Sequence, residues 1–284
     1  MKKLTLILFV AIVFSCQTEE IDDPDVNVDS PVLLKSITVK YVEGLETIIG
    51  LERNIEFSYL GSKIISIKSP RFRTVNSQLV ETERLSSYEY DEDKITKVTI
   101  QNGDIIELTI EFQYQDDRLI KYKSTSYRDN GTVGILANYN VQWESDYLSN
   151  NVMYEELDNE VFQKNKFDSN SNLIEAEYYG TINGTYRSYQ TKNLKFDNNK
   201  NPLDNITGVN KLTQIADLFS QFKYNSYGKN NHTENTSDYD IFSQYRETRS
   251  FSFEYNSQGY PSSSVYEYKR DGEMREKNIY TYNY

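Results

Sequence analysis

Side chains able to do acid–base or nucleophilic work are thinly supplied in this chain. His232 is the only histidine and Cys16 the only cysteine, so a histidine-based triad, a two-histidine zinc site, a thiolate metal site and a disulfide each lack a second member. His232, within Asn230-Asn231-His232-Thr233, reads as a solvated loop histidine. Neither a glycine-rich phosphate loop nor a nucleophile elbow is present. Asp168, Asn170 and Asn172 copy the first calcium ligands of an EF-hand, but Leu173 stands where that loop needs glycine and Tyr179 where it needs glutamate, which rejects the site. Asp91-Glu92-Asp93 and Asp116-Asp117 read as turn residues before they read as a weak calcium site, because Asp hydrogen-bonds its own backbone in turns. Glu155 with Glu175 or Glu177 would make a glycosidase pair, yet nothing in one sequence singles out a pair among 43 acidic residues. No metal or other cofactor is implied, and the chain reads as non-enzymatic.

Aromatic residues are the more specific supply. With 25 Tyr and 13 Phe, most rings must fill a core, but exposed clusters would offer flat faces on which a sugar or peptide docks. The candidate platform is Tyr178 with Tyr179, Tyr186 with Tyr189, and Tyr239 with Tyr245.

The elements that carry these residues are strands. From Val32 onward apolar and polar residues alternate, the period of half-buried β-strands. One pattern recurs: apolar, x, aromatic, x, aromatic, a polar turn, then an aliphatic pair, as in Ile55, Phe57, Tyr59 before Ile64 and Ile65, or Ile110, Phe112, Tyr114 before Leu119 and Ile120. The last aromatic of each copy gives a series of anchors, Tyr59, Tyr90, Tyr114, Trp143, Phe167, Phe196, Tyr224, Tyr255 and Tyr282, spaced by 24 to 31 residues. Between many anchors lies an Asn-Gly or Asp-Gly type of pair, at 102–103, 130–131, 158–159, 183–184 and 271–272, each predicting a tight two-residue hairpin. The expectation is an all-β fold, a large antiparallel meander of about 16–18 strands built from repeated hairpins. A sheet that wide curls or closes like a barrel. Its aromatic rows should face inward, and Glu56, Ser58, Glu89, Glu111 and Glu254 should face water. One short helix is expected near 210–219, where Leu212, Ile215, Ala216, Leu218 and Phe219 share a face, and a long exposed loop between His232 and Tyr245.

The N-terminus carries an address. Lys2 and Lys3 precede an apolar run from Leu4 to Phe14, too short to cross a bilayer, followed by Ser15 and Cys16. This arrangement resembles a bacterial lipoprotein signal, and the resemblance implies cleavage after residue 15 and a diacylglycerol on Cys16. The acidic, proline-containing stretch that follows resembles the export tag of surface-exposed lipoproteins of Bacteroidota. Tyr88-Glu89-Tyr90-Asp91 and Lys166-Phe167-Asp168 resemble the YD-type repeats of bacterial surface and toxin-shell proteins, and the pattern is similar to that of repeat-bearing Bacteroidota lipoproteins of unknown function. Such families imply a large antiparallel sheet and no activity. The division expected is a signal peptide over 1–15, a lipidated cysteine with flexible tether over 16–31, and a single repeat domain over 32–284.

A formal net charge of -12 leaves no basic patch for a phosphate backbone, so nucleic acid is not a partner. The reading is a lipid-anchored outer-membrane lipoprotein, surface-exposed or else periplasm-facing, serving as a binding or structural module for a polysaccharide or an envelope protein. Two alternatives are a polysaccharide-acting enzyme and an integral outer-membrane β-barrel.

Overall fold

A computed structural model describes residues 31–44, 49–75, 78–145, 151–157, 160–212, 228–240 and 245–284. The chain divides into Met1–Pro31 and one compact unit, Val32–Tyr284. The predicted signal, Cys16 and the tether therefore lie outside the described residues, as do the Tyr224 anchor and the 158–159 turn.

Sixteen strands follow in chain order. The first eight are β1 (Ser36–Glu43), β2 (Glu52–Leu60), β3 (Lys63–Val75), β4 (Gln78–Asp91), β5 (Lys94–Asn102), β6 (Ile105–Gln115), β7 (Arg118–Tyr127) and β8 (Val133–Ser145). The rest are β9 (Asn151–Leu157), β10 (Glu160–Phe167), β11 (Leu173–Ile182), β12 (Thr185–Lys200), β13 (Asn230–Tyr239), β14 (Tyr245–Tyr255), β15 (Pro261–Arg270) and β16 (Glu273–Asn283). Each pairs antiparallel with the next, and β1 pairs with β16 from Ser36↔Asn283 to Glu43↔Lys277, closing a barrel.

Every described anchor lies at or near the C-terminal end of an even-numbered strand, so all of them gather at one end, called here the anchor end. The aliphatic pair of the motif is a β-bulge. Tyr59 pairs with Ile64, Tyr114 with Leu119 and Phe167 with Leu173, each time skipping the next residue, Ile65, Ile120 or Ile174. Only the first member of each pair belongs to the core: Ile64 and Leu119 are buried, whereas Ile65 and Ile120 are 44% and 37% exposed. A bulge adds twist and bends the strand, which suits a sheet that must close. Anchor side chains then tie neighbouring strands together: Tyr114 Oη donates to Ile95 O at 2.8 Å, Trp143 Nε1 to Leu119 O at 2.9 Å and Tyr59 Oη to Leu34 O at 2.8 Å.

A barrel of sixteen strands has room inside, and at the anchor end it is filled. Ile37, Val39, Ile55, Ile95, Phe167 and Tyr280 project inward with almost no exposure. The connection between β12 and β13 also crosses this end. Its 3-10 turn (Pro202–Asn205) is capped by Asn201, whose side chain accepts the Leu203 N–H at 3.0 Å. The turn buries Leu203, Ile206, Val209 and Leu212. Thr207 N–H donates to Ser62 O at 3.0 Å, while Tyr90 Oη donates to Thr207 O at 3.1 Å. Gly208, at φ +80°, packs so closely that a Cβ there would sit 2.8 Å from Asp93 O. The helix expected near 210–219 begins here as one turn, α1 (Val209–Leu212), and its remainder lies outside the described residues.

The outer face mixes charged residues with exposed aliphatic ones such as Ile65, Ile120 and Ile279. Cross-strand ion pairs recur along it, among them Lys68–Glu83, Lys97–Glu89, Lys123–Glu111, Lys195–Glu234 and Lys277–Glu267.

The hairpin turns at the other end require two corrections. Asn183-Gly184 and Asp271-Gly272 have positive φ at both residues, as type I′ demands. At 102–103 only Gly103 is positive, since Asn102 remains in β5. At 130–131 the loop is longer: Gly131 N–H donates to Arg128 O and Arg128 N–H to Thr132 O, a turn closed by a left-handed glycine.

The long loop expected between His232 and Tyr245 is also corrected. Its first half is β13, and His232 is a strand residue with 3% exposure. Its ring lies between those of Phe196 and Phe251, with centroids 5.7 and 5.8 Å away. Burial holds the imidazole well below its ordinary range, at about 3, and Arg249 and Lys192 add to that effect. The inward residues of β13 are polar, Asn235 and Ser237, so the apolar alternation that marks a strand is missing there.

Candidate functional site

Toward the hairpin-turn end the inward rows of β10 to β14 change character. Gln163, Asn165, Gln190, Lys192, Asn235, Ser237 and Glu247 are all buried. Buried polar groups need partners, and Glu247 is the hub that supplies them. Its Oε1 accepts from Tyr268 Oη at 2.6 Å and Arg270 Nη2 at 2.9 Å, and its Oε2 from Arg249 Nη2 at 3.1 Å and Tyr239 Oη at 3.3 Å. Burial alone would push this carboxyl up, but the hydrogen bonds from Tyr268 and Arg270 and the charge of Arg249 prevail and hold it below the usual carboxylate range.

The hub fixes a stack of rings. Tyr239, held by Glu247, lies against Tyr245 with centroids 4.4 Å apart and planes within 19°. The Arg270 guanidinium sits over Tyr245, 4.7 Å from its centroid. These two tyrosines and Tyr189 line a cleft of about 510 Å³ at the ends of β12, β13 and β14. Its polar lining includes Asp238, Asp240, Arg246 and Asp271. Asp240 pairs with Arg187, Arg246 Nε with Asp238 at 3.3 Å, and Asp271 Oδ1 accepts the Arg246 N–H at 2.9 Å. The cleft thus combines preorganised ring faces with paired charges, a surface suited to a flat body bearing hydroxyls.

Three of the six predicted platform tyrosines meet there and three do not. Tyr178 faces inward, 5% exposed, with Lys192 Nζ donating to its hydroxyl at 2.8 Å and lying 4.5 Å from its ring centroid, so it is no exposed platform. Alternation puts Tyr179 on the opposite face, where it stacks on Tyr186 at 6.1 Å. There Tyr179 Oη donates to Glu177 Oε2, and Tyr186 Oη to Val161 O. Tyr189 reaches the cleft because it is a bulge residue: Tyr178 pairs with Gln190 and Tyr179 with Ser188. Sequence reasoning missed Glu247, although a mark was available, since an acid in step with Tyr245, Arg249 and Phe251 interrupts an otherwise aromatic and cationic row.

The other candidates resolve simply. Glu155 stands opposite Gln163 in the β9–β10 ladder, whereas Glu175 and Glu177 stand opposite Lys166 and Lys164. Alternate positions of one strand belong to opposite faces of the sheet, so neither combination forms a facing pair. Asp168 caps its own turn, with Oδ1 accepting the N–H groups of Asn170 and Asn172, both at 2.8 Å. Glu92, Asp116 and Asp117 take positive φ in their turns. Among the described residues no group of His, Cys, Asp and Glu is placed to hold a metal ion.

Solved structures that resemble this chain include two porin-like proteins. One is a porin-like protein from Bacteroides uniformis, 14% identical with a TM-score of 0.48, covering 89% of this chain and 98% of that one. The other is a porin-like protein from Bacteroides vulgatus, 15% identical with a TM-score of 0.46, covering 88% and 98%. No protein-family model and no curated protein matches the sequence.

Proposed function

We propose that this is a non-enzymatic envelope lipoprotein, acylated at Cys16 and held by its acidic tether, whose barrel binds a hydroxyl-rich polymer in the Tyr189–Tyr239–Tyr245 cleft. The observation that carries the reading is the polarity of the barrel wall. An integral membrane barrel turns a continuous apolar band outward to lipid; this one turns ion pairs outward among scattered aliphatic residues and most of its rings inward. Placing those lysines and glutamates in hydrocarbon would cost several kcal/mol at each inner position, which favours a tethered domain in water. Outer-membrane location and exposure at the cell surface follow from the lipoprotein-like N-terminus and belong to the same proposal.

Binding rather than turnover is favoured because the acids of the cleft are engaged, Asp240 with Arg187, Asp238 with Arg246 and Asp271 with the Arg246 N–H. The test is capture of the purified protein on a panel of insoluble neutral polysaccharides, beside a Tyr245→Ala variant. Retention on at least one polysaccharide, weakened about tenfold or more without Tyr245, is expected; equal retention of both proteins, or none, contradicts the cleft assignment.

A further inference from the structure

The barrel wall has a seam on its other side. The β2–β3 ladder runs from Leu60↔Lys63 to Glu56↔Lys68 and stops there, although β2 reaches back to Glu52 and β3 forward to Val75. Beyond that point each strand pairs only with its outer neighbour: Arg53 with Val39 of β1, and Pro70 and Arg71 with Glu83 and Thr82 of β4. Pro70 has no N–H for a ladder, and proline in sheets is confined to such edges. The parted strands leave a cleft of about 400 Å³, lined by Arg53, Asn54, Pro70 and Thr82 and by Lys68 with four glutamates, Glu52, Glu56, Glu81 and Glu83.

Arg53 is the unusual member. It stands on the inward row with Ile55 and Phe57, its guanidinium lies 5.5 Å from the centroid of Tyr41, and its buried Nε has no hydrogen-bond partner. Among the described residues no carboxylate pairs with it. The neighbouring inward positions add no free acid: Arg71 and Arg84 share the single carboxylate of Glu107, the latter through Nε at 3.6 Å. Arg71 and Arg84 thus share one acid, whereas Arg53 has none of its own among the described residues, although Glu52, Glu56, Glu81 and Glu83 stand around the same cleft and Lys68 pairs with Glu83. A buried guanidinium donor without a partner is costly, and a planar carboxylate is the group its fork fits. The mouth is different, since Asn54, Glu56 and Thr82 offer hydroxyl and amide partners and acceptors. A multiply charged anion would be repelled by the glutamates there, whereas a singly charged, hydroxylated acid would use both zones.

We propose that the β2–β3 seam binds a sugar acid, with its carboxylate on Arg53 and its hydroxyls on the residues of the mouth. This site does not depend on the Tyr189–Tyr239–Tyr245 cleft.

The experiment is calorimetric titration of the purified protein with D-glucuronate, D-glucose and sodium sulfate. D-glucuronate should bind, D-glucose and sulfate should bind at least about tenfold more weakly, and Arg53→Gln should lower D-glucuronate affinity about tenfold or more, the fold-change matching loss of one hydrogen bond to a charged group. Arg53→Lys, which keeps the charge but loses the fork, should fall between the two. Lys195→Gln, on the outer face, should bind like the parent. Melting temperature and circular dichroism report on folding, and if Arg53→Gln does not fold, Arg53→Lys supplies the comparison. Absence of D-glucuronate binding, equal binding of sulfate, or parent-like affinity in both Arg53 variants overturns the proposal.

Discussion

One buried imidazole should set the acid stability of the whole domain. His232 is the only histidine in the chain, it is 3% exposed between two phenylalanine rings, and burial lowers its folded-state value from 6.5 to about 3. Above 6.5 neither the folded nor the unfolded chain protonates it, so stability does not depend on this group. As pH falls below 6.5 the unfolded chain takes up a proton that the folded barrel refuses, and stability drops by about 1.4 kcal/mol per pH unit until the folded value is reached. Between about pH 8 and about pH 5 the loss from this residue is therefore about 2 kcal/mol. Urea denaturation at both pH values, for the parent and for His232→Asn, measures it. The parent should lose about 2 kcal/mol more than the variant over that interval, whatever the variant's absolute stability. The single imidazole signal in the NMR spectrum of the folded parent should stay unshifted over the same range. A parent and a variant with equal pH dependence, or an imidazole that titrates near 6.5 in the folded protein, would refute the reasoning.

Three further outcomes are expected. Tyr114→Phe deletes the hydroxyl bond to Ile95 O and should cost about 1 kcal/mol in urea denaturation, with no change in the far-ultraviolet spectrum. Gly208→Ala combines a φ of +80° with a Cβ 2.8 Å from Asp93 O; it should lose about 2 kcal/mol or more and loosen the segment that follows the 3-10 turn, read as faster hydrogen exchange at Thr207. Cys16→Ser should move the protein from the membrane fraction to the soluble fraction of its host, and retention in the membrane would contradict the lipid anchor.

Much of the architecture was legible because it is local. The alternation that puts Ile55, Phe57 and Tyr59 on one face, and the polar turn that follows, need only a dozen residues to be seen. The described anchors mark the even strands one for one, and the Tyr224 copy lies outside the described residues. Closure was not legible, since Ile37↔Tyr282 joins residues at opposite ends of the chain and leaves no mark on either. The aliphatic pair was legible as a motif but not as a bulge, because both members are equally apolar and only register separates Ile64 from Ile65. β13 was misread for a chemical reason: its inward Asn235 and Ser237 face the polar hub of Glu247 rather than a hydrocarbon core, so the usual signature of a strand is absent. The cleft was half legible. Tyr239 and Tyr245 announce themselves as aromatics, but the bulge that brings Tyr189 beside them, and the carboxylate that holds them, depend on pairing between strands.

The central claim is that this barrel keeps its apolar side within and its charged side in water. Size-exclusion chromatography with light scattering on Val32–Tyr284, refolded without detergent or lipid, tests it most directly. A monodisperse, cooperatively unfolding β-protein that gains nothing from added micelles is the predicted result. A chain that aggregates in buffer and folds only when micelles or vesicles are supplied would contradict the account.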